Sequence, residues 1–138
     1  MARNSGKKSE AIFEENVSGL VFRLRDKADL VGLNGGKNVA AFGNPSDFLV
    51  ADSTVGLRFC EVKSSTSKTS FSLSAFTPAQ RSAISRLHRS GLGQLYVIYI
   101  HSLFHNQWYL MTADEFYDTV VNQKRKSKKW TELSPISW

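Results

Sequence analysis

The run Leu95-Tyr96-Val97-Ile98-Tyr99-Ile100 restricts the folds open to this chain more than any other stretch. An unbroken apolar and aromatic run leaves neither face of an extended strand fit for water, so the strand must lie inside a sheet covered on both sides. Gln107 to Met111 reads as its neighbour, across a turn at His101 to Asn106. Helices supply the covers. Thr77-Pro-Ala-Gln80 has a capping threonine, a proline at the first helical position and a glutamine at the third; it starts a helix that ends near Ser90, ahead of Gly91. In that helix Ala83, Ile84 and Leu87 face inward. Thr112-Ala-Asp-Glu115 is a second capping box, opening a helix to about Asn122. Near the start, Phe13, Val17, Leu20, Val21 and Leu24 recur at helical spacing from Ser9 to about Arg25, with Ser9 placed to cap the first turn.

A hairpin fills the interval from Asn44 to Lys63. Its first arm, Phe48 to Ala51, follows a Pro-Ser-Asp turn, and its second arm alternates, so that Leu57, Phe59, Glu61 and Lys63 share one face. An apolar row that turns into Glu61 and Lys63 is a local rule broken at the end of a strand, the usual mark of a functional position. The order helix, loop, strand, strand, helix, strand, strand, helix describes an α/β domain with a mixed sheet flanked by helices. At 138 residues and without internal repeats, the chain makes one such domain, from residue 9 to 138. Residues 1 to 8 form a basic, mobile arm that orders on a charged partner. Residues 26 to 44, with Gly35 and Gly36 paired, form a short projecting loop or hairpin. Ser64 to Ser74 is rich in serine, threonine and lysine and reads as a polar loop, too polar for core. Trp130 and Trp138 pack on the domain or on a second subunit.

Charge suggests the partner. Eighteen Lys and Arg against twelve Asp and Glu give a net charge of +6, which favours a polyanion, most often nucleic acid. The candidate phosphate contacts are spread along the chain. Lys7 and Lys8 precede the first helix, Lys37 lies in the loop, Lys68 in the polar segment, and Arg81, Arg86 and Arg89 along the second helix. Lys124, Arg125, Lys126, Lys128 and Lys129 form a run near the end. The lone Cys60 has no partner for a disulfide and reads as a buried structural thiol, and no signal-peptide or membrane-length run is present; a reducing, cytoplasmic setting is expected. His88, His101 and His105 have no metal-ligand spacing and read as surface or turn histidines.

An acid at a strand end, Glu-x-Lys on the paired strand and an earlier helical acid are what metal-dependent phosphodiester hydrolysis requires. Carboxylates gather Mg²⁺, and an ammonium orients the nucleophile. Asp47, Glu61 and Lys63 meet that demand if the two strands pair. The alternative for the last two, a surface ion pair, gains little for interrupting a buried row. Glu10 lies three residues before Phe13 and continues the inward stripe, whereas Glu15 faces solvent; equally, Glu10 and Glu14 could simply favour the positive end of the first helix. Gln80 is explained by its capping box, and spacing assigns it no further role. A non-catalytic DNA-binding module would leave these acids without purpose, since carboxylates repel a phosphate unless a cation intervenes.

Pro45-Ser46-Asp47 followed by Glu61-Val62-Lys63 resembles the PD-(D/E)XK nuclease motif, and the surrounding sequence is similar to the RecU-type Holliday junction resolvases. The similarity runs through Gly6-Lys-Lys-Ser-Glu10, Phe59-Cys-Glu61-Val-Lys63 and Lys68-Thr-Ser-Phe71-Ser-Leu73-Ser-Ala-Phe76 to Gln80, and more weakly to about Lys129. The resemblance implies a restriction-endonuclease-like core. It also implies that Asp47, Glu61 and the Val62 carbonyl bind Mg²⁺ or Mn²⁺, with Glu10 completing the acidic cluster. Lys63 would activate or orient the water, and Gln80 would support the water or the phosphate. The implied activity is resolution of four-way DNA junctions in recombination and repair by a homodimer that cuts two opposed strands. The family's stalk corresponds to 26–44 and is short here, and its C-terminal continuation is largely missing; a compact, phage-encoded version would account for both. A related nuclease acting on flaps, nicks or duplex DNA stays open at this point.

Overall fold

A computed structural model describes residues 2–24 and 44–138, with side chains from Gly6 onward. Helix α1, Ala2–Asn16, is followed by strand β1, Leu20–Arg23. Strands β2, Phe48–Asp52, and β3, Gly56–Ser65, form the expected hairpin, with Phe48 opposite Cys60 and Val50 opposite Arg58. Helix α2, Pro78–Arg89, then returns the chain to strand β5, Tyr96–Ser102, which runs parallel to β3. A parallel neighbour needs such a crossover, because a tight turn can only reverse the chain. Strand β6, Gln107–Thr112, pairs antiparallel with β5, and the last strand, β8, Ser134–Ile136, pairs antiparallel with β6. The six-stranded mixed sheet has the order β1-β2-β3-β5-β6-β8. A separate ladder joins β4, Ser70–Ser72, to β7, Ser127–Lys129. Helix α3, Ala113–Tyr117, continues as a π turn over Asp118–Asn122, which completes the helix expected to about Asn122.

Every residue of β5 is buried, as the apolar run demands. Its side chains divide between two cores. Tyr96, Ile98 and Ile100 join Ile84 of α2, Phe116 of α3, and Phe71, Leu73, Phe76 and Trp130. Val97 and Tyr99 join Phe13 of α1, Phe48, Val50, Cys60, Val62 and Trp108. Phe13 is fully buried, its ring 5.0 Å from Phe48 and 4.7 Å from Tyr99, a burial that contributes about 1.5–3 kcal/mol. Cys60 is buried too, and burial pushes its thiol up to about 12, the inert state expected of a structural cysteine.

Four expectations are corrected. The first helix begins at Ala2, taking in the residues read as an arm, and stops at Asn16; Leu20, Val21 and Phe22 pair instead with Ala51, Val50 and Leu49. Gly19 explains the break. Its φ is +112°, and a Cβ there would stand 2.8 Å from the Ala51 carbonyl oxygen, so the chain turns sharply into the sheet where apolar spacing alone continued the helix. Ser9 is therefore no cap: it lies fully buried inside α1, its Oγ 2.9 Å from His101 Nδ1. His101 in turn is buried in β5 and stacked on Trp108 at 4.5 Å, and burial holds its pKa below the usual histidine value. Finally, the polar segment contains β4, and Phe71 and Leu73 are core residues at 3% and 1% exposure. Alternation explains this: Ser70, Ser72 and Ser74 point outward while the apolar residues between them point in. The projecting loop expected over 26–44, and Lys37 with it, lies outside the described residues apart from Asn44. Among the described residues, no helix is long and apolar enough to cross a membrane.

Candidate active site

The Pro45-Ser46-Asp47 turn is tied at several points. The Tyr96 hydroxyl donates to the Pro45 carbonyl, Ser46 Oγ donates to the Phe48 carbonyl at 2.9 Å, and the Leu24 N–H donates to the Asp47 carbonyl at 2.9 Å. Asp47 Oδ2 accepts the Val62 backbone N–H at 2.9 Å, which fastens the first acid between Glu61 and Lys63 of β3. Glu61 is 2% exposed. Its Oε2 accepts Gln80 Nε2 at 2.9 Å and stands 3.3 Å from Lys63 Nζ. Its Oε1 is buried and receives no hydrogen bond.

Lys63 is fixed from the other side. Its ammonium donates to the Ala75 carbonyl at 2.7 Å and to Gln80 Oε1 at 3.3 Å, and lies 4.6 Å from the centre of the Phe76 ring. Gln80 does two tasks with one amide. Its Oε1 accepts the Thr77 N–H at 2.9 Å, closing the capping box, while its NH₂ holds Glu61. The cap therefore sets the orientation in which α2 presents an amide to the acid.

Electrostatics mark the same spot. Burial, and after it the Asp47 charge, push the Glu61 carboxyl up to about 8, against a weaker opposing effect of Lys63. Burial raises Asp47 too, opposed by the Val62 N–H and reinforced by the Glu10 charge. The two carboxyls are within hydrogen-bonding reach of each other. Two such groups cannot both stay ionised at that range without a proton or a cation between them. The donors are hard oxygens, which suit Mg²⁺, Mn²⁺ or Ca²⁺ and not a thiolate-seeking metal.

Asp47, Glu61, Lys63 and Gln80 are thus brought together, as the sequence required. Glu10 stands close enough to act on Asp47 through its charge, but its carboxylate is engaged at 2.6 Å by Arg23, which also bonds Glu14. The reading of Glu10 and Glu14 as first-turn acids is corrected, since both lie in the C-terminal half of α1. Among the described residues, no group of three His, Cys, Asp or Glu side chains could hold a metal ion by itself. Arg23 escaped notice because it was placed at the end of a helix; in β1 it lies opposite Phe48, its guanidinium 4.8 Å from the centre of that ring. The signal was Gly19, ahead of Leu20-Val-Phe-Arg23.

The basic candidates divide. Lys7, Lys8, Lys68, Arg86, Arg89, Lys124, Lys126 and Lys129 are exposed. Arg81 instead binds the Phe76 and Leu73 carbonyls at 3.2 and 3.1 Å, Arg125 pairs with Glu132 through both terminal nitrogens, and Lys128 approaches Glu115 at 3.9 Å. These three serve the domain's own packing.

Fold and site together define an α/β domain with a mixed sheet that carries a buried pair of acids, an amine and an amide at the β2–β3 hairpin and its crossover helix. Comparison with protein-family models and with curated proteins gives no significant match for this chain.

Proposed function

We propose that this protein is a metal-dependent endonuclease of the PD-(D/E)XK type with a restriction-endonuclease-like core, which resolves four-way DNA junctions as a homodimer. The observation that carries the reading is Glu61 Oε1, a buried carboxylate oxygen with no donor, set beside Asp47. A buried acceptor left unpaired is costly, and a cation placed there removes the penalty while relieving the repulsion between the two acids. Asp47, Glu61 and the Val62 carbonyl would hold Mg²⁺, an ion that takes few protein carboxylates and completes its shell with water and phosphate oxygens. When bound there, Mg²⁺ supplies Lewis acidity and offsets the negative charge that builds on the phosphate as the ester breaks. Lys63, held by Ala75 and Gln80, orients the attacking water, and Gln80 keeps Glu61 turned toward the ion. Glu10 adds negative potential from α1 and is released to the site when Arg23 is drawn to a phosphate. Two copies related by a dyad would place two such sites at a fixed separation for paired incision.

The test is purified protein with Mg²⁺ on labelled junction, flap and linear duplex of matched sequence. Paired nicks in the junction alone are expected. Asp47→Asn and Lys63→Ala should each lower cleavage by at least about 100-fold while junction binding in Ca²⁺ persists. Cleavage at the unmodified rate in folded Lys63→Ala would refute the assignment.

A further inference from the structure

The sheet face that carries Glu61 and Lys63 has a second concavity nearer its other edge. It measures about 860 Å³ and is bounded by β6, the β4–β7 ladder and the turn Trp130–Glu132. Tyr109 and Trp130, stacked at 5.1 Å, form its apolar wall. Lys68, Arg125 and Lys129, from three separate segments, stand around it, hydroxyls such as Ser70 and Thr131 lie between them, and no carboxylate lines it. Glu132, just outside, holds Arg125, which leaves Lys68 and Lys129 as the exposed cations.

The β5–β6 turn extends this surface. Phe104 is 55% exposed, and its ring lies 5.0 Å from His105 and 6.0 Å from the Lys68 ammonium. His105 Nε2 donates to the Lys68 carbonyl at 2.7 Å and so fixes the rim. Exposed cations and hydroxyls beside an uncovered aromatic ring form the chemistry that holds single-stranded nucleic acid, phosphates on the lysines and bases against the rings. A duplex keeps its bases stacked and cannot offer them to Phe104, whereas a concavity of this size suits a few unpaired nucleotides. Lys63, Ile100 and Tyr109 lie in one cross-strand row, so the concavity opens roughly 10 Å, two strand spacings, from the acid pair's lysine.

We propose that this concavity and the Phe104–His105 turn bind a single-stranded segment of DNA. The site stands whether or not the acid pair cuts DNA. The test is fluorescence anisotropy of labelled oligothymidylate with EDTA present, so that no hydrolysis intervenes. Salt-dependent binding is expected. Lys68→Ala with Lys129→Ala should weaken it at least tenfold and reduce the salt slope by about 1.4, at roughly 0.7 per phosphate released. Phe104→Ala should weaken it by about tenfold and Phe104→Tyr should restore it, as stacking requires; Arg89→Ser, on exposed α2, should leave it unchanged. Absence of binding, indifference to the paired lysine change, or equal affinity for duplex with the same sensitivity to Phe104 would overturn the proposal.

Discussion

At Glu61, burial and the Asp47 carboxyl act in the same direction, and the result is a pH dependence of stability. The folded carboxyl keeps its proton up to about 8, whereas the unfolded chain releases it near the ordinary value of 4.5. Between those limits the folded state binds the extra proton, so stability falls as pH rises through the window. Glu61→Gln removes the loss. Its melting temperature without divalent ions should exceed that of the unmodified protein by a margin that grows between about pH 5 and pH 8. A constant margin would mean that the two acids are not crowded. Glu61 and Lys63 were legible from sequence because alternation on a strand is a local rule and they break it. Arg23 was not, because which face it serves depends on a chain reversal several residues earlier.

That reversal belongs to the scale of elements. Helical spacing from Phe13 to Leu24 is satisfied equally by one long helix and by a helix followed by a strand whose side chains pack on another surface. The choice falls to Gly19, whose positive φ and close approach to Ala51 admit no side chain without strain. Gly19→Ala should cost roughly 1–3 kcal/mol, seen as a lower denaturant midpoint with an unchanged slope. An unchanged midpoint would show that the turn tolerates a Cβ. Capping boxes were more legible than helix ends. Thr77 and Thr112 both bond the backbone N–H three residues on, because a cap is decided within one turn of chain. Ser9 has the same residue type but no exposed helix start to cap, and the tertiary fold gives its hydroxyl to His101.

Over the whole molecule, net charge predicts a polyanionic partner but not which cations face it. Lys124 and Lys126 are exposed, while Arg125 between them is engaged by Glu132. Replacing Lys124 and Lys126 with serine should weaken duplex DNA binding and reduce its salt slope by about 1.8, near 0.9 per phosphate contact, with little change in melting temperature. A slope equal to that of the unmodified protein would remove the pair from the interface. By itself the sequence determined the α/β class, the buried strand β5, the β2–β3 hairpin and the two acids and lysine it carries, since each rests on residues near one another in the chain. Only the tertiary structure decided that α1 ends before β1, that Phe71 and Leu73 reach the core and that Gln80 turns its amide onto Glu61. Those outcomes depend on what each side chain meets across the sheet, and no spacing along the chain records that.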